Sequence, residues 1–240
     1  MIFYRPFSAI KAMTFDLDDT LYDNRPVIRR VEQEAALWLH QNHPISQSKP
    51  MAWWHQVKIN VLAQQPELKH DVTQWRFCQI KQGLMQLGYS DPKAHQAAND
   101  VITEVLRLRS DFTVPDETHR ILGGLASHFP LIAITNGNVD VERINLGQYF
   151  QHVYKAGPDG LSKPEPEMFH QALAKLSLPA HCVLHVGDHL RSDVRGAYLA
   201  GLKTCWLNDQ SSNLMQARYA TTLPDVEIKQ LSSLLYFLPL

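Results

Sequence analysis

The first regular pattern in the chain is a run of apolar and β-compatible residues from Lys11 to Phe15 that stops at three carboxylates, Asp16, Asp18 and Asp19. Such a run predicts a buried strand, roughly Lys11 to Asp16. From Pro26 the period becomes helical. Val27, Ile28, Val31, Ala35, Trp38 and Leu39 share a face, with Asn24 as a cap and Pro26 in the first turn. Three more helical patterns follow with no strand between them. Trp53, Trp54, Val57 and Val61 mark one that stops before Pro66. Phe77, Ile80, Leu84 and Leu87 mark the next, closed by Gly88. Ala94, Ala98, Val101, Val105 and Leu108 mark the last, which starts near Asp91-Pro92. Residues 22–112 therefore read as a helical block that packs its own apolar stripes.

After Pro115 the pattern alternates. A helix is predicted over 116–128, then a strand Leu131-Ile132-Ala133-Ile134 ending at Thr135-Asn136-Gly137. A helix from Val139 to Leu146, a strand from His152 to Lys155 and a helix from Glu165 to Leu176 come next. Cys182 to Val186 reads as a buried strand ending at Gly187-Asp188, followed by a helix to Gly201 and a strand from Lys203 to Leu207. The apolar residues Leu234 to Leu238 read as the buried end of a last helix. Alternation of this kind predicts an α/β, Rossmann-like parallel sheet covered on both faces. Residues 1–21 and 113–240 would form that core, with 22–112 inserted after its first strand as a second domain.

Composition narrows the function classes. The 240 residues are 45% apolar and 20% charged, ordinary values for a globular protein. Lys and Arg number 23 against 24 Asp and Glu, a formal net charge of −1. Nothing in that balance favours nucleic acid or an anionic membrane as a partner. No run approaches the roughly 20 apolar residues of a membrane span. Met1 to Pro6 is too short for a secretory core, so Cys78, Cys182 and Cys205 are expected to be reduced thiols of a cytoplasmic protein.

The chemistry gathers at strand ends. In an open parallel sheet the carboxyl ends line one crevice, so Asp16, Thr135-Asn136-Gly137 and Gly187-Asp188 are expected to meet there. Asp16 and Asp18, at i and i+2, would point the same way from an extended strand, and their repulsion calls for a cation, a shared proton or a chemical task. With Asp188 they offer hard oxygen ligands that suit Mg²⁺ better than zinc. Asp16 is then a candidate nucleophile and Asp18 a candidate acid/base. Asp19 is expected to point away and to help launch the helical block. Thr135, Asn136 and Gly137 suit a phosphate at a helix start, with Asn138 as a simple helix cap the alternative reading.

Ser162 and Glu165 have the spacing of a capping box. Lys163 between them reads either as a partner for a bound anion or as a solvated surface lysine. Asp193 reads either as a favourable charge at a helix start or as the group that holds Lys163 or a metal-bound water. His181, His185 and His189 are spaced by four, but across a strand, which argues against a shared metal. Trp53, Trp54 and Trp75 could stack on a planar substrate ring, although at least two of them read as helical-block core, and Trp75 and Arg76 are the better candidates for substrate contact. Asp23 and Arg25 either gate the site or cap a helix.

These residues resemble a known family. Asp16-Leu17-Asp18-Asp19-Thr20 is similar to the first motif of the haloacid dehalogenase (HAD) superfamily, Thr135-Asn136-Gly137 to its second, Lys163 to its third, and Gly187-Asp188 through Asp193 to its fourth. The insertion between the first two motifs resembles the helical C1 cap. The resemblance implies that Asp16 is the nucleophile and that Asp18 is the acid/base, which also offers its backbone carbonyl to Mg²⁺. It further implies that Asp188 completes the metal's protein ligands and that Thr135, Asn136 and Lys163 hold the phosphate. Aspartate at position 18, where dehalogenases of the superfamily carry tyrosine, implies a phosphatase. Tyr22 to Pro26, Asp71 to Phe77, Ala133 to Asn138, Ala156 to Pro158 and Leu184 to Asp188 resemble one bacterial branch. That branch acts on 5-amino-6-(5-phospho-D-ribitylamino)uracil of riboflavin biosynthesis and on flavin mononucleotide (FMN). His189 departs from it, where aspartate is expected. The expected partner is thus a small phosphomonoester, and the expected state a monomer or homodimer. A phosphotransferase or mutase acting on a sugar phosphate, and a catalytically silent ligand-binding protein of the same fold, are the competing expectations.

Overall fold

The apolar runs of the sequence become the strands of a single sheet. In the computed structural model, which describes residues 1–6, 9–210, 213–214, 216–217 and 220–238, these strands are β1 (Ile2–Phe3), β2 (Ala12–Phe15), β3 (Leu131–Thr135), β4 (His152–Lys155), β5 (Val183–Gly187), β6 (Lys203–Leu207) and β7 (Val226–Ile228). Their order is β1-β7-β6-β5-β2-β3-β4. β2, β3 and β5 are buried along their whole length, as central strands covered on both faces must be. β2 pairs with β3 on one side and β5 on the other, all parallel, with Phe15 opposite Ala133 and Val186. This register brings the carboxyl ends of the three strands side by side. The chain runs outward through β3 and β4, then returns to β5, so β2 lies at a topological switch point.

Two apolar layers cover the sheet. Met13, Phe15, Ile121, Leu122, Leu125 and Ala133 belong to one, and Ala12, Ile132, Ile134, Met168 and Phe169 to the other. Alternate residues of the same strand serve opposite faces, the period of two expected of a strand. The helices are α1 (Asn24–Asn42), α2 (Met51–Gln64), α3 (Val72–Gln86), α4 (Asp91–Arg109), α5 (Asp116–Ala126), α6 (Glu167–Leu176) and α7 (Gly196–Leu199). Val31, Leu39, Trp54, Ile80, Leu84, Val101 and Leu108, from α1 to α4, form a cluster of their own away from the sheet. The stop at Gly88 forms as expected. Gly88 takes φ +100°, and the Tyr89 N–H to Leu84 O and Gly88 N–H to Met85 O bonds complete a Schellman ending.

The structure corrects the sequence reading at several points. The sheet is mixed, because β1 at the N-terminus pairs antiparallel with β7. The cap of α1 is Asp23, not Asn24: its carboxylate accepts the Arg25 N–H at 3.0 Å. The expected helix from Val139 to Leu146 is a chain of turns. Val139, Val141, Ile144 and Leu146 are buried, but Asp140 ties back to the Glu142 N–H and Asn145 takes φ +58°, which no helix continues. The helix expected from Glu165 begins at Glu167. The helix before Gly201 is a π-type turn, Leu190–Arg195, leading into the short α7. The last apolar residues form a 3-10 turn, Leu231–Phe237, with Leu234 buried. Among the described residues no helix is long and apolar enough to cross a membrane, and the three cysteines are free thiols.

Candidate active site

Asp16 begins where β2 ends. Its N–H still donates to Val186 O at 2.9 Å, which fixes the backbone between β3 and β5. From the loop between β4 and α6 Lys163 enters the crevice, with Nζ 2.7 Å from Asp16 Oδ1 and 2.7 Å from Asp193 Oδ1. Its side chain is 1% exposed, so the solvated-surface reading of Lys163 is excluded. Asn136 orients this loop through two bonds. Its Nδ2 donates to Lys163 O at 3.0 Å, and its Oδ1 accepts the Lys163 N–H at 2.7 Å. Both ends of the Asn136 amide are thus engaged with the lysine backbone. The capping box does not form. Ser162 instead donates its N–H to His70 Nδ1 at 3.1 Å and brings its hydroxyl to 2.9 Å, tying the lysine loop to the 3-10 turn after α2.

Asp193 is buried beneath this loop. Besides Lys163 it accepts the His189 N–H at 2.9 Å and lies 3.4 Å from His185 Nε2. An ionised carboxylate only accepts, so His185 carries its proton on Nε2, and Nδ1 accepts from the Thr14 hydroxyl at 2.9 Å. Thr14, His185, Asp193, Lys163 and Asp16 therefore form one buried polar chain. Both readings of Asp193 are met: it is the acidic residue in the first turn of the π-type helix, and its carboxylate holds Lys163. His189 caps the π-type turn, its Nδ1 accepting the Ser192 N–H at 3.1 Å. The three histidines do not converge on one point.

Asp188, just beyond β5, receives the Thr20 hydroxyl at 3.3 Å. Carboxylate oxygens of Asp16, Asp188 and Asp193 all lie within 4.8 Å of one another. Lys163 supplies one positive charge against these three carboxylates. Burial raises Asp16 well above the usual carboxylate range in spite of Lys163, with Asp193, Asp188 and Asp18 adding to it. Burial, then Asp193 and Asp19, push Asp188 up to about 7. Burial works the same way on Asp193, but Lys163 and His185 outweigh it and hold Asp193 well below the usual range. Burial lowers Lys163, and Asp16 and Asp193 more than offset this, so it stays charged. Burial keeps His185 neutral. A compact hard-oxygen cluster short of positive charge fits a divalent cation such as Mg²⁺.

The carboxylate of Asp18 is not part of that cluster. It turns toward the helical block, where the Tyr22 hydroxyl donates to Oδ1 at 2.7 Å and Arg109 Nη2 forms an ion pair with the same oxygen. Asp16 and Asp18 do not share partners as residues i and i+2 of a strand would, because the chain leaves the strand at once, with the Leu21 N–H bonded to Leu17 O. Gly137 lies against Asp18. A Cβ there would sit 2.5 Å from Asp18 Oδ2, so only glycine allows this approach. The Gly137 N–H donates to Thr135 Oγ1 at 2.9 Å. No helix follows these residues, and Asn138, expected as a cap, donates instead to Thr73 Oγ1 in α3 at 3.0 Å. Asp19 takes φ +59° and accepts the Asn24 N–H, so it launches α1 as expected.

Trp75 and Arg76 line a cavity of about 340 Å³ beside Asp18, together with Asn24, Lys58, Arg109 and Asn138. Arg76 is held by Glu32. The Trp75 ring carries the Lys58 ammonium 4.7 Å above its centroid and donates from Nε1 to Lys58 O. Tyr22, Arg109 and His185 are members of the site that sequence reasoning missed. Arg109 left a signal, since a cation four residues after Val105 continues the buried stripe of α4.

This fold, with its strand-end residues, is shared with a known class of hydrolases. A family model described as haloacid dehalogenase-like hydrolase matches residues 10–201. The chain belongs to that family. Among its relatives, the 5-amino-6-(5-phospho-D-ribitylamino)uracil phosphatase YigB of Escherichia coli K12 is 44% identical over 98% of both chains. A crystal structure of a 2-haloacid dehalogenase from Pseudomonas syringae pv. tomato DC3000 superposes with a TM-score of 0.88, at 35% identity over 95% of this chain and 97% of that one. The HAD-hydrolase YfnB from Bacillus subtilis has the same fold, with a TM-score of 0.64 at 22% identity over 95% and 98% of the two chains.

Proposed function

We propose that this HAD-family phosphatase is Mg²⁺-dependent and forms an aspartyl-phosphate on Asp16, with 5-amino-6-(5-phospho-D-ribitylamino)uracil as its principal substrate and FMN as another. The observation that carries the reading is the meeting of Asp16, Lys163 and Asp188 at the carboxyl ends of adjacent strands. The substrate follows from likeness to YigB across the full length of both chains. Asp16 attacks phosphorus while the ester oxygen departs with a proton from Asp18. Water then attacks the acyl-phosphate, Asp18 takes up its proton, and Asp16 is released with inorganic phosphate. Lys163 and the Thr135 hydroxyl hold the phosphoryl oxygens, Asn136 fixes the lysine loop, and Asp193 anchors Lys163. Asp16, Asp188 and the Asp18 carbonyl would hold the metal, whose positive charge neutralises the carboxylates and the phosphoryl oxygens.

Position 18 decides between the two chemistries named among the relatives. A halide leaves as a stable anion, whereas an alkoxide must be protonated, and an aspartate clamped beside the cavity suits the second. Residues 22–112 act as a cap whose closure excludes water from the phosphoryl group. Their separate apolar cluster supports a unit that moves as one. A panel of phosphorylated metabolites assayed with Mg²⁺, including FMN and the ribitylaminouracil phosphate, tests the substrate. The highest kcat/KM is expected for the ribityl ester. Asp16→Asn should fold normally and lose roughly 10⁴-fold or more of its turnover. Substantial residual activity in that variant excludes Asp16 as the nucleophile.

A further inference from the structure

Two polar atoms beside Asp18 are buried and have no partner: Arg109 Nη1 and Asn24 Oδ1. An orphaned buried donor or acceptor in a native structure calls for an explanation, because each costs free energy and a charged one costs more. Both residues line the same cavity of about 340 Å³, on the Asp18 side of Gly137 and Asn138. The Arg109 guanidinium also faces the Tyr22 hydroxyl, which shares Asp18 with it. Arg109 spends Nη2 on Asp18, and its side chain is 3% exposed. Asn24, the first residue of α1, spends its N–H on Asp19. The remaining walls include the apolar side chains of Ile28, Val31, Val72 and Val105.

A ligand that satisfies both atoms must present an acceptor to Arg109 and a donor to Asn24. A hydroxyl does each, and neighbouring hydroxyls on a carbon chain do both together. Asp18 lies in the same cavity, so the ester oxygen it protonates and the first carbons of the leaving group belong there. We propose that Arg109 and Asn24 form the recognition pair for a polyhydroxylated leaving group, making the cavity selective for polyol phosphates over unsubstituted alkyl phosphates. The proposal rests on the phosphatase reading above and extends it. Arg109 has a double part: one nitrogen of its guanidinium positions Asp18 and the other meets the substrate hydroxyl. Occupancy of the cavity is thereby tied to the placement of the acid.

The test compares ribitol 5-phosphate with n-pentyl phosphate, a chain of the same length without hydroxyls, using Mg²⁺-loaded enzyme. Wild-type enzyme is expected to prefer ribitol 5-phosphate. In Asn24→Ala the ratio of the two kcat/KM values should fall about tenfold, the effect of one lost hydrogen bond in a site built to make it. Arg109→Lys keeps the charge but not the fork. It should lower the same ratio and also lower kcat for pentyl phosphate relative to p-nitrophenyl phosphate, whose leaving phenolate needs no proton. Circular dichroism confirms the fold of each variant, and Asn24→Ala, at a helix end, supplies the result if Arg109→Lys is unstable. A ratio unchanged from wild type in Asn24→Ala overturns the recognition pair alone. Wild-type enzyme that leaves all three esters intact overturns the phosphatase reading and this inference with it.

Discussion

Replacing Lys163 with methionine removes one charge and keeps most of the side-chain length. In the native protein Nζ lies 2.7 Å from Asp16 and 2.7 Å from Asp193, and the side chains of Lys163 and Asp193 are each 1% exposed. The variant leaves two buried carboxylates facing each other with their common cation gone. Breaking one buried pair costs about 3–5 kcal/mol, and with two partners the upper part of that range applies. For a chain of this size Tm should fall by roughly 2–4 °C per kcal/mol. Urea and thermal unfolding followed by circular dichroism measure both.

The pH dependence of Lys163→Met carries a definite sign. In wild type Asp193 titrates well below the usual range, so it adds stability above its unfolded pKa of about 3.9 that is lost as pH falls through the folded value. Without Lys163, burial raises Asp193 above the usual range and Asp16 further still. Each then imposes a penalty that is full above its raised pKa and absent below the unfolded one. The deficit of the variant should therefore be larger at pH 8 than at pH 5. A double cycle with Asp193→Asn should show a coupling of about 1–3 kcal/mol. A Lys163→Met deficit below about 1 kcal/mol, or additive effects in the cycle, refutes the account of the buried chain.

Gly137→Ala places a Cβ 2.5 Å from Asp18 Oδ2. Displacing Asp18, the proposed acid, by this route should lower kcat for alkyl phosphates about 10²-fold with little change in Tm, and an unchanged kcat refutes the contact. Removing divalent cations with a chelator should abolish turnover, and Mg²⁺ should restore it. Mg²⁺ at about 100 times its Kd should add roughly 2.7 kcal/mol to the stability of wild type, but not to that of Asp188→Ala, as a thermal melt would reveal. Native protein should react with a thiol reagent at Cys78, which is partly exposed, well before Cys205, whose thiol is fully enclosed and pushed up by burial. Early modification of Cys205 contradicts that burial.

Much of this protein is legible in the sequence because short apolar runs and helical stripes are local signals. The strands ending at Asp16, Thr135 and Asp188, the four helices between β2 and α5, and the stop at Gly88 all follow from period and turn chemistry. The convergence of strand ends follows too, since parallel strands place their carboxyl ends together whatever the loops do. The sequence failed where local preference was overridden. Val139 to Leu146 has helical spacing, but Asp140 and Asn145 bond and turn the backbone out of a helix. Ser162 and Glu165 have the spacing of a cap, but Ser162 is claimed by His70 from the helical block.

Asp16, Asp18, Lys163, Asp188 and Asp193 were legible in the sequence as candidate charges at the strand ends, whereas Arg109, the partner of Asp18, was not. Only the tertiary structure decided how they are divided. Asp16, Asp188 and Asp193 crowd together, with Lys163 bonded to Asp16 and Asp193, while Asp18 turns away to Tyr22 and Arg109. That division depends on a turn after Leu17 and on an arginine that comes from the far end of the inserted helices. Pairings across such distances depend on how elements dock, which no local pattern encodes.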